Sequence, residues 1–233
     1  MKVDIWSDVR CPFCYIGKRK FEKALEKFSH KNEIEVDWHS FELDPTLKTN
    51  PEVNAVEHIA EIKGISKAQA EGMHAHVTNV AKEINLDFNF EKNVVANSFN
   101  AHRLIQLAKT KGLANEAEEA LFKAHFIEGK NIDNEETLIQ TGISIGLDEN
   151  EVKEIFSSDA FAEEVKRDEM QAQSFGIRGV PFFILNDKYA VSGAQSPDVF
   201  SQALNQAWTE FEKEKQPLII TEGESCSADG NCN

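Results

Sequence analysis

Lys2 to Trp6 is a short β-prone run. Beyond it, Ile16, Phe21, Leu25 and Phe28 recur at spacings near the helical period. The pattern predicts a strand followed by a helix from about Pro12 to Ser29. Ile34, Val36 and Trp38 then alternate with Glu35, Asp37 and His39, the period-two signature of a second strand. Together these form a βαβ unit with a right-handed crossover, closed by Asp44-Pro45. From Pro51 to about Phe175 helical periods follow one another with little strand signal, predicting a bundle of roughly five to seven helices. Ser66 with Gln69 and Asp148 with Glu151 fit capping boxes. One apolar stripe runs through Leu113, Ala117, Ala120, Leu121 and Ala124, and another through Val152, Ile155 and Phe156. Strand signal returns at Pro181 to Leu185, breaks at Asn186-Asp187 and resumes at Tyr189 to Val191, which predicts a hairpin. A last helix starts at Ser196-Pro197, with Val199, Phe200, Ala203, Leu204, Ala207, Trp208 and Phe211 on one face. After Pro217 the chain is rich in Glu, Ser, Gly and Asn, the composition of a disordered tail.

The fold class expected is therefore α/β: a discontinuous domain of residues 1–48 and 177–215, an all-helical insertion over 49–176, and a flexible polar tail over 216–233. A length of 233 residues allows a properly buried core without disulfide staples. The net charge of −15 is spread along the chain and repels phosphate backbones and anionic lipid, so neither nucleic acid nor membrane is an expected partner. The chain opens Met1-Lys2-Val3-Asp4 with no basic-then-apolar leader, and it carries no apolar run long enough to span a bilayer. A cytoplasmic location is the expectation.

Chemistry concentrates at Cys11-Pro12-Phe13-Cys14, a C-x-x-C between the first strand and its helix. A helix N-terminus favours thiolate over thiol, which marks Cys11 as a nucleophile. Cys14 falls about one turn inward, where a resolving thiol belongs, and Pro12 suits the first helical position. A structural zinc half-site would need a second ligand pair, and the other cysteines, Cys226 and Cys232, lie far off in the tail. No metal is expected; His74 and His76, two apart on a helix, point to different faces. Cys226 and Cys232 leave three readings open: a second redox pair that a flexible tail could bring to the first, adventitious metal binding or intermolecular disulfides, or no role.

The order of elements resembles the thioredoxin fold. That resemblance implies a cis peptide bond at Pro181 facing the C-x-x-C, where Gly179-Val180-Pro181 taken locally reads as an ordinary trans proline. The N–H and C=O of Val180 would then pair with an extended substrate segment, and Phe13 and Asp8 would shape the rim, Phe13 reading equally as core packing. Ser7-Asp8-x-x-Cys11-Pro12-Phe13-Cys14, Ala96-Asn97-Ser98, Ala101-His102-Arg103-Leu104 and Gly176-Ile177-Arg178-Gly179-Val180-Pro181 together resemble the DsbA-like oxidoreductases of the FrnE group, over roughly residues 1–215. The resemblance implies thiol–disulfide exchange at Cys11 and Cys14 on protein or peptide substrates, with glutathione as a candidate co-substrate and no bound cofactor. It places His102 and Arg103 near the site, either supporting the thiolate or binding an anionic substrate end; the alternative is a satisfied helix histidine and a surface arginine. A second resemblance is to kappa-class glutathione transferases and hydroxychromene-carboxylate isomerases, which usually carry serine where this chain has Cys11.

Overall fold

The computed structural model describes residues 1–214, so Cys226, Cys232 and the tail expectation lie outside the described residues. The first unit is β1 (Lys2–Ser7), α1 (Pro12–Glu26) and β2 (Glu35–Ser40). Next come β3 (Asn50–Asn54), α2 (Ala55–Lys63), α3 (Lys67–Lys82), β4 (Val94–Val95), α4 (Phe99–Thr110) and α5 (Ala114–Phe122), then a π-helical turn (Lys123–Ile127), α6 (Glu135–Ser144), α7 (Glu149–Ser157) and α8 (Ala162–Ser174). The chain returns to the sheet with β5 (Phe182–Leu185) and β6 (Tyr189–Ser192) and closes with α9 (Pro197–Glu214). The sheet order is β2-β1-β5-β6, so β1 is central, parallel to β2 (Ile5 opposite Trp38) and antiparallel to β5 (Ile5 opposite Phe183).

Period-two alternation decides which side chains enter which layer. Val3, Ile5, Trp38, Phe183 and Leu185 face α1 and α9 and join Phe21, Phe200 and Leu204 in one core. Trp6, Phe182 and Ile184 face the other way, onto Ala172 of α8 and Ile177. Asn186 and Asp187 turn the hairpin with φ of 52° and 54°, left-handed values that these two residue types tolerate better than most. In α9 the buried stripe is Phe200, Leu204, Ala207 and Trp208, while Val199 falls off it at 38% exposure. Helix α1 stops at Glu26, short of the expected Ser29, because Lys27 and Phe28 donate to Ala24 and Leu25 in a tightened last turn.

Between β2 and β5, the described residues form seven α-helices, α2 to α8. Ser66 and Gln69 make the reciprocal capping box. Asp148 caps α7 through the N–H groups of Asn150 and Glu151, but the Glu151 carboxylate turns to Lys111 at 2.7 Å, so only half of that box forms. The pairing of β3 with β4 was not anticipated. Asn50-Pro51-Glu52-Val53-Asn54 is largely exposed and carries no alternating apolar pattern, so only backbone pairing marks it as a strand. The main helical core takes in Val9, Cys11, Cys14, Tyr15 and Ile16, so the two cysteines are walled by the segment between β2 and β5.

A buried polar network locks this segment to the sheet. His39 on β2 is held between Asp4 on β1 (2.6 Å) and Asp168 on α8 (3.0 Å), while Asp168 also accepts from Ser40 N–H and from Gln106 of α4. Burial alone would favour neutral imidazole, but the two carboxylates outweigh it and raise the His39 pKa. Asp4, Asp37 and His39 converge as metal ligands do, yet cations already occupy the spot: Lys2 Nζ lies 2.7 Å from Asp4, and Lys109 Nζ lies 2.5 Å from Asp37.

Candidate active site

Cys11 is the N-cap of α1, with extended backbone angles (φ −88°, ψ 111°) and Pro12 behind it at the first helical position. Its N–H donates to Asp8 O at 2.8 Å and its carbonyl accepts from Cys14 N–H at 3.0 Å, which folds the motif into the first turn. Both cysteines are free thiols, Cys11 at 6% exposure and Cys14 at 1%. Cys14 lies deeper, as expected of a resolving thiol. Burial pushes its thiol well above the ordinary value, and neighbouring Cys11 adds to this; the Asp8 N–H and Ser7 hydroxyl pull the other way.

The Val180-Pro181 peptide bond is cis, and the Cys11 thiol donates to Val180 O at 3.6 Å. The two distant motifs therefore meet. The Val180 carbonyl, expected to be open to substrate, is engaged by Cys11 in this dithiol form. Gly17 on α1 makes the approach possible: a methyl group there would lie 2.9 Å from Cγ of Pro181 and 3.5 Å from the Phe183 ring. Glycine inside a helix costs about 1 kcal/mol relative to alanine, and here that cost goes with a close backbone approach. Beside the proline loop, Arg178, Gly179, Val180, Ser192 and Gly193 line a groove of about 420 Å³. Phe13 is 39% exposed, which places it at the surface rather than in the core.

Asp8 does not shape a rim. It is fully buried, accepts from the N–H groups of Arg10 (2.9 Å) and Leu43 (2.8 Å), and braces the loop entering α1 from below. His102 of α4, also fully buried, brings Nε2 to 3.6 Å from Asp8 Oδ1. Burial opposes its charging, but Asp8, Glu118 and Glu42 prevail and raise its pKa. Glu118 of α5 is 1% exposed and accepts from Ser7 Oγ at 3.4 Å; burial pushes its carboxyl up to about 7, against the pull of His102 and Lys18. A Cys14, Ser7, Glu118 series thus runs from the inner sulfur to a carboxyl poised near neutrality.

Arg103 fits neither of the roles expected of it. It is buried at 6% exposure, and its guanidinium donates to Ala160 O, Ile155 O, Ser158 O and Asn100 Oδ1, tying α4 to the segment between α7 and α8. Sequence reasoning named Ser7 only as part of a motif, without a role, and missed Gly17 and Glu118. The available signal for Glu118 was an acid three and four residues before Leu121 and Phe122, on the apolar side of α5.

A profile of the DSBA-like thioredoxin domain matches residues 2–205. The chain belongs to the DsbA-like thioredoxin family. A solved structure of a probable DsbA oxidoreductase from Streptomyces coelicolor is 36% identical, with a TM-score of 0.86 over 100% of this chain and 98% of that one. An uncharacterized Bacillus subtilis protein, YwbO, is 27% identical over 210 residues, 87% of this chain and 95% of its own. A 2-hydroxychromene-2-carboxylate isomerase shares the fold at 17% identity and a TM-score of 0.68, covering 93% of this chain and all of that one. Within this DsbA-like chain the match includes both the C-x-x-C and the proline loop.

Proposed function

We propose that the protein catalyses thiol–disulfide exchange on protein or peptide substrates, with Cys11 as nucleophile, Cys14 as resolving thiol and glutathione as small co-substrate. The observation that carries this reading is the Cys11 thiol at 3.6 Å from the carbonyl preceding cis-Pro181, with Cys14 sealed beneath it. In the reducing direction the Cys11 thiolate attacks a substrate disulfide, forms a mixed disulfide and expels one substrate thiolate, which takes up a proton. Cys14 then loses its proton and attacks Cys11 Sγ; the second substrate thiolate leaves, and the protein is left oxidised. Two glutathione thiols restore the dithiol and become glutathione disulfide. The oxidising direction is the reverse. A substrate strand lying along the groove at Val180 and Pro181 would present its sulfur to Cys11, displacing the contact to the Val180 carbonyl.

Within the family, the Ser7-Asp8 and Ala101-His102-Arg103-Leu104 motifs favour the FrnE group. The division into residues 1–48 with 177–215 and an insertion over 49–176 makes the insertion the carrier of Glu118 and His102. Among the described residues no helix is long and apolar enough to cross a membrane. A reducing cytoplasm would hold the couple as the dithiol, favouring reduction or isomerisation. The transferase and isomerase reading is weaker, since both thiols are present and Cys11 faces the proline loop.

Titration in glutathione redox buffers, with alkylation and mass spectrometry of the Cys11 to Cys14 peptide, tests the proposal. A reversible link between the two sulfurs is the expected result; a pair that stays reduced across the whole range refutes exchange. The resolving step carries a further expectation. Below about pH 7 Glu118 is protonated and cannot accept the Cys14 proton through Ser7; above it, the carboxylate can. The rate of mixed-disulfide resolution should therefore rise through an inflection near 7. Glu118→Gln should remove the inflection and slow resolution by about tenfold to a hundredfold on the alkaline side. An unchanged profile would exclude Glu118 from the proton path.

A further inference from the structure

A second cavity, of about 100 Å³, adjoins α1 at Pro12, one residue from the nucleophile. Its lining includes Arg10, Pro12, His58, Phe90, Val95 and His125, and most of the wall is apolar. Two polar groups in it lack partners. The Arg10 guanidinium forms no hydrogen bond or ion pair among the described residues, and its NH1 is shielded from solvent. His125, 3% exposed, likewise has a shielded Nδ1 with no hydrogen-bond partner. Its backbone belongs to the π-helical turn at Lys123–Ile127, held by Asn93 donating to His125 O at 3.0 Å. Such turns are rare and concentrate at functional sites. Buried polar groups are nearly always paired in folded proteins, so an unpaired guanidinium and an unpaired imidazole nitrogen at one cavity indicate partner atoms that arrive with a ligand.

The chemistry of that ligand follows from the wall. A guanidinium beside apolar surface suits a carboxylate on a short aliphatic stem, and the unprotonated imidazole nitrogen suits an N–H on the same arm. On a chain of net charge −15, an acidic substrate is repelled over most of the surface, and an unpaired arginine one residue before the nucleophile in sequence is a local exception. The volume is below the ~300–1,000 Å³ of pockets that enclose a whole small molecule, so the cavity takes one arm of a substrate held mainly elsewhere.

We propose that this cavity is a carboxylate subsite: it receives an acidic group that the thiol substrate carries close to the cysteine exchanging with Cys11, with Arg10 meeting the charge and His125 Nδ1 accepting from an N–H on the same arm. The inference rests on the exchange reading and narrows its substrate class to acidic thiol or disulfide peptides. The acid is supplied either by an Asp or Glu beside the cysteine of a protein substrate or by the carboxylates of glutathione.

The test compares kcat/KM of the full chain and of Arg10→Gln and Arg10→Lys on three substrate sets. These are peptide disulfides with Glu or Gln on either side of the cysteine, glutathione disulfide against its carboxyl esters, and the neutral hydroxyethyl disulfide. The unsubstituted protein should prefer the Glu peptide, the free-acid tripeptide, or both by roughly tenfold, equivalent to about 1.4 kcal/mol. The preference should lie mainly in KM and shrink with added salt. Arg10→Gln should abolish it, and Arg10→Lys should keep part of it. Because the preference is a ratio within each variant, any general effect on folding or on Cys11 cancels. Discrimination confined to glutathione would assign the acid to the tripeptide, and discrimination confined to the peptides would assign it to a protein side chain. Equal rates across both pairs, or a preference that survives Arg10→Gln, overturn the subsite while turnover of the neutral disulfide leaves exchange standing. No turnover of any of the three substrate sets by the unsubstituted protein overturns the exchange reading itself.

Discussion

Cys11→Ser should abolish disulfide exchange, lowering insulin reduction by on the order of 10⁴-fold or more, the scale seen when an enzyme loses its nucleophile. A serine hydroxyl forms no mixed disulfide, and the only other sulfur in the described site, Cys14, is sealed at 1% exposure with its pKa raised. Cys14→Ser should behave differently. Cys11 keeps its place at the end of α1 facing Val180 O, so the first attack survives and resolution does not. A mixed disulfide of one substrate per protein should then accumulate in mass spectra. Cys11→Ser retaining a tenth of the activity would refute the assignment, and so would a Cys14→Ser protein that turns over without trapping.

The parts of this site that could be read from the sequence are those whose signal is local. The C-x-x-C stands where period-two alternation gives way to helical spacing, so Cys11 had to fall at a helix N-terminus. Asn186-Asp187 between two apolar runs marks the hairpin that carries Pro181. What stayed hidden is set by contacts between elements distant in the chain. Gly17 meets Pro181 across 164 positions, and Ser7 meets Glu118 across 111. A charged residue such as Arg103 reads as surface because burying one is costly without partners. Its partners are carbonyls at the end of α7 and just beyond it, which no pattern around position 103 reveals. Asp8 was misplaced for the same reason: the groups it satisfies include the Leu43 N–H, beyond β2.

The largest effect on stability should come from His39, at the centre of the buried polar network. His39→Ala leaves Asp4 and Asp168 facing each other in a buried site with their shared donor gone, and it removes the imidazole stacked on Trp6 at a centroid distance of 4.4 Å. Removing one member of a buried ion pair costs about 3–5 kcal/mol, mostly because the remaining charge is stranded. At ~2–4 °C per kcal/mol for a chain of this size, the melting temperature should fall by roughly 6–20 °C. The network joins α4 and α8 to β1 and β2, so the loss should appear as one cooperative shift of the whole transition. The pH dependence has a definite sign. His39 has its folded pKa raised above the ordinary 6.5, so its charged contribution is complete below that value and fades as pH rises through the folded one. Asp4 is depressed below its ordinary 3.8, because His39 and Lys2 outweigh burial, and its contribution fades only as pH falls through that lower value. The gap in unfolding free energy between the unsubstituted chain and His39→Ala should therefore be widest at about pH 5.5 and narrower at about pH 9. Urea titrations at the two pH values measure it directly. A gap that is flat or that widens towards alkaline pH would mean that His39 stabilises the fold through packing on Trp6 rather than as a cation between two carboxylates.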